Sequence, residues 1–381
     1  MLAIKNAKLV LEHGVLNDGV LIINNGRIAE IGTSDEIKIP EGCEIYDAKG
    51  LYVGPGFVDI HVHGGGGYLF EKDPLKAAEH FLRHGETTVL ATLYYDLTKE
   101  GFIEAITKVQ NAMKQDGAGK AIGGFYMEGP YMNPKYGASP EKNKWKGEIR
   151  EEDYSEFVEL AGKDAKVWAV APERAGLEPF LKKIKAVNPE TVIAVGHSEA
   201  TPGEIRALKK YGITLQTHCM NATGRHPCSG GTRSCGPDEA CMMDNDMYAE
   251  MICDSQGIHV EAEMQKFIIG IKGVDKVVLI SDSFVNNDPI PEEYAHITDL
   301  TFDASGGLCG SRLTLDAAAR NIMKHTGCDI VTAFLMASRN PARAIGKGKE
   351  LGSIEVGKIA NLVVVDNNIN VVDVMLQGKI Q

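Results

Sequence analysis

Eight short apolar runs, most of them followed by a segment of helical pattern, dominate the middle of this chain. They read FVDIHV (57–62), TTVLATL (87–93), AIGGFYMEG (121–129), KVWAVAPE (166–173), TVIAVGHS (191–198), ITLQTHC (213–219), YAEMICD (248–254) and KVVLISD (276–282). Apolar runs this short, bounded by polar punctuation, are the pattern of buried parallel strands. The intervening stretches carry amphipathic helical spacing, as in DPLKAAEHFLRHG and TPGEIRALKKYG. In the second of these, Thr201, Pro202 and Glu204 supply an N-cap, an N1 proline and an N3 acid, and Gly212 supplies a stop. Eight strand–helix units over roughly 230 residues predict an α/β chain folded as a (β/α)8 TIM-like barrel. A doubly wound open sheet is the competing arrangement.

The flanks differ. Residues 1–53 hold alternating runs, LAIKNAKLVLE, GVLIINNGRIAEIG and CEIYDAKGLYV, separated by turn signals at Asn17-Asp18-Gly19 and Asn25-Gly26. The end of the chain, GSIEVGKIANLVVVD and NVVDVMLQGKIQ, has the same character. A small β-sandwich domain built from both termini is therefore expected, 1–53 plus 349–381, beside a barrel domain over 54–348. Length supports one large unit and one smaller one. Hydrophobic content of 44% and charged content of 24% are those of a soluble globular protein. No apolar run approaches the roughly 18 residues of a membrane span. The N-terminus alternates like a strand and lacks a cleavage site, so a cytoplasmic location is expected. A net charge of −12 argues against binding nucleic acid or an anionic membrane. None of the eight cysteines forms the Cys-x2-Cys spacing of a structural zinc site, so free thiols serving packing and loop structure are expected.

In a barrel, the C-terminal strand ends converge on one mouth, where chemistry sits. The polar residues at those ends are His61 and His63 on the first strand, Glu128 on the third, His197 on the fifth, His218 on the sixth and Asp282 on the eighth. Side chains two apart on a strand face the same way, so His61 and His63 can grip one ion together. The glycines at 64–67 allow a sharp turn and close approach of a substrate. Imidazole plus carboxylate suits zinc, and also iron, manganese, cobalt or nickel. A bound ion of this kind activates water, and a nearby carboxylate can manage the proton. Asp282 is the candidate for that task. Each residue also has a structural reading: Glu128 or Asp282 as a helix cap, His197 or His218 as a satisfied core histidine. Their joint placement at the ends of separate strands favours the metal-hydrolase reading.

These segments resemble the amidohydrolase superfamily and, within it, the N-acetylglucosamine-6-phosphate deacetylases. The resemblance is carried in order by PGFVDIHVHGGGG, MEGPYMNPKYGASP, VGHSEAT, THCMNAT, DSQGIHV, LISDS and the passage ASRNPARAIGKGKELGSIEVGKIANLVVVD. It implies that Glu128, His197 and His218 hold a principal divalent metal and that His61 and His63 hold a second one, where a second is present. It implies that Asp282 is the acid/base. Asn221, Ala222 and His259 would contact the sugar phosphate. The implied reaction converts N-acetylglucosamine 6-phosphate to glucosamine 6-phosphate and acetate, in a homodimer whose partner helps to complete the phosphate pocket.

The chain departs from the family pattern mainly on the substrate side. The loop GRHPCSGGTRSCGPDEACMMD (224–244) is longer and rich in cysteine and glycine. Arg233 is the nearest match to the phosphate-binding arginine, with Arg225 and His226 as rivals. Thr223, Ser139 and the 254–257 turn also differ. Such changes leave open another N-acetyl amino sugar phosphate, of galactosamine or mannosamine type. A cyclic-amide hydrolase or deaminase on the same barrel is disfavoured, because the fourth run ends WAVAPER with Glu173 and no lysine. An inactive scaffold is disfavoured by the presence of every ligand candidate and Asp282.

Overall fold

The computed structural model describes residues 1–225 and 234–381. Eight parallel strands form its centre: β1 (Phe57–Val62), β2 (Glu86–Tyr94), β3 (Ile122–Glu128), β4 (Ala165–Val170), β5 (Val192–Val195), β6 (Ile213–Gln216), β7 (Tyr248–Ile252) and β8 (Val277–Ile280). They pair in chain order from β1 to β8. The runs are apolar because both faces are covered: every residue of β1 and β8 is buried.

The first and last strands meet at their C-terminal ends. Asp282 N–H donates to His61 O at 2.9 Å, and the N–H groups of His63 and Gly64 donate to Ser283 O at 2.9 and 3.0 Å. Below them the buried Asp59 carboxylate accepts from His61 N–H at 3.1 Å and from Ser281 N–H at 3.3 Å. One carboxylate therefore bridges the seam, and the sheet closes as a barrel where an open doubly wound sheet would have two free edges. Burial pushes Asp59 up to about 7, against the pull of these donors.

Helices α1 (Pro74–Arg83), α2 (Lys99–Met113), α3 (Glu151–Ala161), α4 (Leu177–Val187), α5 (Pro202–Leu208), α6 (Pro237–Met243), α7 (Ala262–Lys272) and α8 (Leu315–Thr326) surround it. The expected amphipathic pattern is seen in α1, which buries Ala77, Ala78, Phe81 and Leu82. In α5 the reciprocal capping box between Thr201 and Glu204 forms, and Gly212 adopts φ +83 after a short 3-10 turn. Among the described residues, no helix is long and apolar enough to cross a membrane.

The two ends of the chain share an eight-stranded sheet. Leu2–Leu11 pairs antiparallel with Gly14–Asn24, which pairs with Arg27–Thr33. On the other side Tyr52–Pro55 joins Leu2–Leu11 to Leu362–Val365, followed by Val371–Leu376 and Lys379–Ile380. The Asn25-Gly26 signal is a hairpin turn with φ of 49° and 74°, as a type I′ turn requires. The signal at 17–19 is not a turn. Those residues lie inside the strand Gly14–Asn24, where pairing with the first strand is irregular and Asp18 takes φ 51°. A bulge uses the same permissive residues as a turn, and the chain reverses earlier instead. The sheet is held to the barrel at Gly54, where an added Cβ would lie 2.2 Å from Phe334; that ring stacks on Phe57 at 5.1 Å.

Candidate active site

Three of the six strand-end residues are presented by strained backbone. His197, His218 and Asp282 each lie two residues beyond their strands and have φ of 46°, 25° and 48°. Such non-glycine conformations cost about 1–3 kcal/mol each and persist only where the surroundings enforce them. The enforcement is visible: His218 N–H donates to the buried Glu250 carboxylate at 3.1 Å, and Asp282 N–H donates across the barrel seam. The turns swing all three side chains over the mouth, towards those of β1 and β3.

Glu128, the last residue of β3, is the hub. Its Oε1 lies 2.6 Å from His197 Nε2 and 3.2 Å from His218 Nε2. Its Oε2 lies 3.1 Å from His63 Nε2 and 3.4 Å from His61 Nε2. Asp282 Oδ1 stands 3.4 Å from His63 Nε2 and 3.6 Å from His61 Nε2. Two overlapping donor triads result, His61/His63/Glu128 and Glu128/His197/His218, each with ligand atoms within 4.8 Å of one another. All these side chains are buried.

The ring nitrogens facing this centre fit a divalent metal ion. His197 Nε2 and His218 Nε2 are 3.1 Å apart, which sets two lone pairs against each other unless a cation or proton lies between them. His61 Nε2 is buried and has no hydrogen-bond partner among the described residues. The tautomers of two rings are set from behind: His218 Nδ1 faces the carbonyl of Asn221 at 3.0 Å, and His61 Nδ1 faces Glu250 Oε2 at 3.1 Å.

Electrostatics agree. Burial lowers the pKa of His63, but the Asp282 and Glu128 carboxylates outweigh it and bring the group to about 9. The same two carboxylates hold His61 well above its usual range against burial, and at His218 Glu128 likewise outweighs burial and raises the pKa. Burial wins at His197, whose pKa falls. Glu128, despite burial, is held well below the usual carboxylate range by His61, His197 and His218, and Asp282 is lowered by His61 and His63. The centre favours positive charge, which protons or a metal ion can provide.

His63, Glu128, His197, His218 and Asp282 lie on the wall of a cavity of about 460 Å³, which Asn221 and Ala222 also line; His61 is buried behind it. Two other expected substrate contacts sit elsewhere. Arg225 and His259 line a neighbouring cleft of about 550 Å³ and not the main cavity. Arg225 is ion-paired with Glu239, and His259 is pinned between the Asp254 carboxylate at 3.0 Å and the Gly310 carbonyl at 3.1 Å. His226 and Arg233 lie outside the described residues. Of the glycines after His63, Gly66 and Gly67 make the expected sharp turn, with φ of 61° and 91°, but the expected open approach is not seen at the first two. Gly64 and Gly65 are closed on by protein: a Cβ on Gly64 would lie 2.3 Å from Tyr68 O, and one on Gly65 would lie 2.6 Å from Phe81. Neither lines the cavity.

Sequence reasoning left Glu173 without a role and passed over Glu250 and Asp59. Glu173 accepts from Asn133 Nδ2, Ser198 Oγ and Glu199 N–H at 2.8, 2.7 and 2.8 Å, so it anchors the loop that carries His197. Glu250 and Asp59 are acids inside otherwise apolar strands, YAEMI and FVDIHV, and that was the available signal. Cys219, Cys241 and Cys253 are buried and unpaired beside this region, as expected of packing thiols.

Comparison with known proteins agrees with this geometry. Residues 52–381 match the amidohydrolase family. An N-acetylgalactosamine-6-phosphate deacetylase of Escherichia coli O157:H7 is 32% identical, over 98% of this chain and 97% of that protein. An N-acetylglucosamine-6-phosphate deacetylase of Bacillus subtilis is 28% identical, over 100% of this chain and 96% of the relative. The crystal structure of N-acetylglucosamine-6-phosphate deacetylase from Pasteurella multocida superposes with a TM-score of 0.86 at 25% identity, covering 100% of this chain and 99% of the other. With a family match over most of its length and a relative of this identity aligned nearly end to end, the chain belongs to the amidohydrolase family.

Proposed function

We propose that this protein removes the acetyl group from an N-acetylhexosamine 6-phosphate, N-acetylglucosamine 6-phosphate in the first place. The observation that carries the reading is Glu128, whose two oxygens each face a pair of imidazoles while the Asp282 carboxylate stands at the cavity wall beside His63. Glu128, His197 and His218 would hold a principal ion, and His61, His63 and Glu128 a second, with zinc the first choice for this donor set and iron, manganese, cobalt or nickel next. A divalent ion held there supplies Lewis acidity, polarising an acyl carbonyl and easing deprotonation of water. Asp282 takes the proton of the attacking water and returns it to the departing nitrogen. The C–N bond breaks, leaving acetate and a free amine. Asn221 and Ala222 line the same cavity, where they would contact the sugar phosphate. Arg225 and His259 border the cleft beside it, where the phosphate would lie together with Arg233 or His226.

A galactosamine-type substrate is the second reading. It is favoured by the 32% identity to the Escherichia coli O157:H7 relative, against 28% for the Bacillus subtilis one. A homodimer is supported by α7, whose outer face carries Met264, Phe267 and Ile271 exposed at helical spacing, with exposed Met243 nearby in sequence at the end of α6. A cytoplasmic location fits the seven unpaired cysteines among the described residues. We also treat the terminal strands, 1–53 plus 349–381, as a small domain apart from the catalytic 54–348.

Acetate release from the 6-phosphates of N-acetylglucosamine, N-acetylgalactosamine and N-acetylmannosamine, measured with metal-reconstituted protein, tests the reading. One phosphorylated sugar should exceed its unphosphorylated form in kcat/KM by at least a hundredfold. Acetate release that ignores the phosphate would reject the substrate class. Arg233→Ala should raise KM for phosphorylated sugars selectively; equal effects on both forms move the role to Arg225, His226 or His259.

A further inference from the structure

Glu250 sits on β7, a strand that contributes no residue to the ligand cluster, and is fully buried. An uncompensated carboxylate in a barrel interior is costly, so its contacts say what it is for. One oxygen, Oε2, makes them all. It lies 3.1 Å from His61 Nδ1, accepts the backbone N–H of His218 at 3.1 Å and accepts the Tyr126 hydroxyl at 3.4 Å. The Tyr126 ring stacks on His61 at 4.3 Å, so the imidazole is clamped in plane as well as at its rear nitrogen. Oε1 has no partner among the described residues.

We infer that Glu250 is a positioning residue for the metal centre, and that it acts chiefly on the second ion through His61. With Nδ1–H donating to Glu250, His61 must present the Nε2 lone pair to the cluster, where that nitrogen is buried, faces Glu128 and Asp282 at 3.4 and 3.6 Å, and makes no hydrogen bond among the described residues. The negative charge behind the ring raises its basicity as a ligand. Among the described residues no corresponding carboxylate stands behind His218, whose Nδ1 faces the main-chain carbonyl of Asn221. Glu250 touches His218 only through its N–H and supports the turn there. Its electrostatic effect is thus concentrated on one of the two triads.

The inference rests on the metal-hydrolase reading, and its test separates the two. Wild type, Glu250→Gln and Glu250→Leu are stripped of metal, titrated with zinc, and scored for ions bound per chain and for each affinity. Circular dichroism verifies the fold. Wild type should bind two ions. Glu250→Gln keeps an acceptor and loses the charge, so affinity for the weaker ion should fall about tenfold. Glu250→Leu removes both, and the fall should reach about a hundredfold, with the tighter ion retained. Should the leucine variant fail to fold, the glutamine variant carries the test alone. Two ions bound at wild-type affinity in a folded variant overturn the inference and leave the function standing. So does an equal loss of both ions, or a wild type that saturates at one. A wild type that binds no divalent ion ends the metal-hydrolase reading itself.

Discussion

Replacing Asp282 by asparagine isolates proton transfer from everything else the site does. Asp282 is in the left-handed region, φ 48°, where asparagine is as comfortable as aspartate, so the backbone pays no penalty. Its N–H bond to His61 O and the bond its carbonyl accepts from Ser311 N–H are main-chain and survive the change. The side chain makes no ion pair with His197 or His218; its near neighbours among the imidazoles are His63 and His61, at 3.4 and 3.6 Å. The principal triad should therefore keep its ion. What disappears is the proton acceptor, and a positioned general base or acid is worth about 10²- to 10⁴-fold. At 1.36 kcal/mol per decade this is about 3–5 kcal/mol of barrier. The assay is acetate release under saturating substrate, paired with metal content of the same sample. The expected result is kcat lowered by two to four decades with KM within about threefold and full metal at the principal site. A kcat within tenfold of wild type, at full metal content, would refute the role. Alanine is a poorer probe, because it adds left-handed strain that asparagine does not.

Other consequences can be checked separately. His197→Ala removes the ring nearest Glu128 and should weaken the principal ion at least a hundredfold, read as metal retained after dialysis against a chelator. Affinity for the His61/His63 ion should rise with pH and level off near the pKa of about 9 at His63, because a raised imidazole pKa means protons compete below it; isothermal titration across pH 6–9 would show a rise of up to about tenfold per unit for each proton displaced, and a flat profile would contradict the raised values. Phe267→Glu places a charge on the exposed face of α7 and should yield monomers in sedimentation velocity if that face joins two copies; an unchanged dimer would place the interface elsewhere. Asp59→Ala leaves two buried N–H groups unpartnered at the barrel seam and should cost about 2–5 kcal/mol in urea unfolding, with a change under 1 kcal/mol excluding a structural role.

The sequence alone determined the barrel and the set of polar residues that its mouth brings together. Buried parallel strands must be apolar along their whole length, so eight short runs announce themselves, and a polar residue that ends such a run is conspicuous against it. His61, His63, Glu128, His197, His218 and Asp282 were all legible for that reason. Local pattern failed where one residue type serves two backbone shapes, as at 17–19, where a bulge wears the composition of a turn. It failed again where the partner is distant in sequence. Glu250 meets His61 across 189 positions and Glu173 meets Ser198 across 25, and no spacing rule connects them. Only the tertiary structure decided that Glu128 serves both triads, that Arg225 and His259 face a second cleft, and that protein closes on Gly64 and Gly65. These depend on which way a side chain points once eight strands have closed on one another, and hydrophobic periodicity carries no information about that direction.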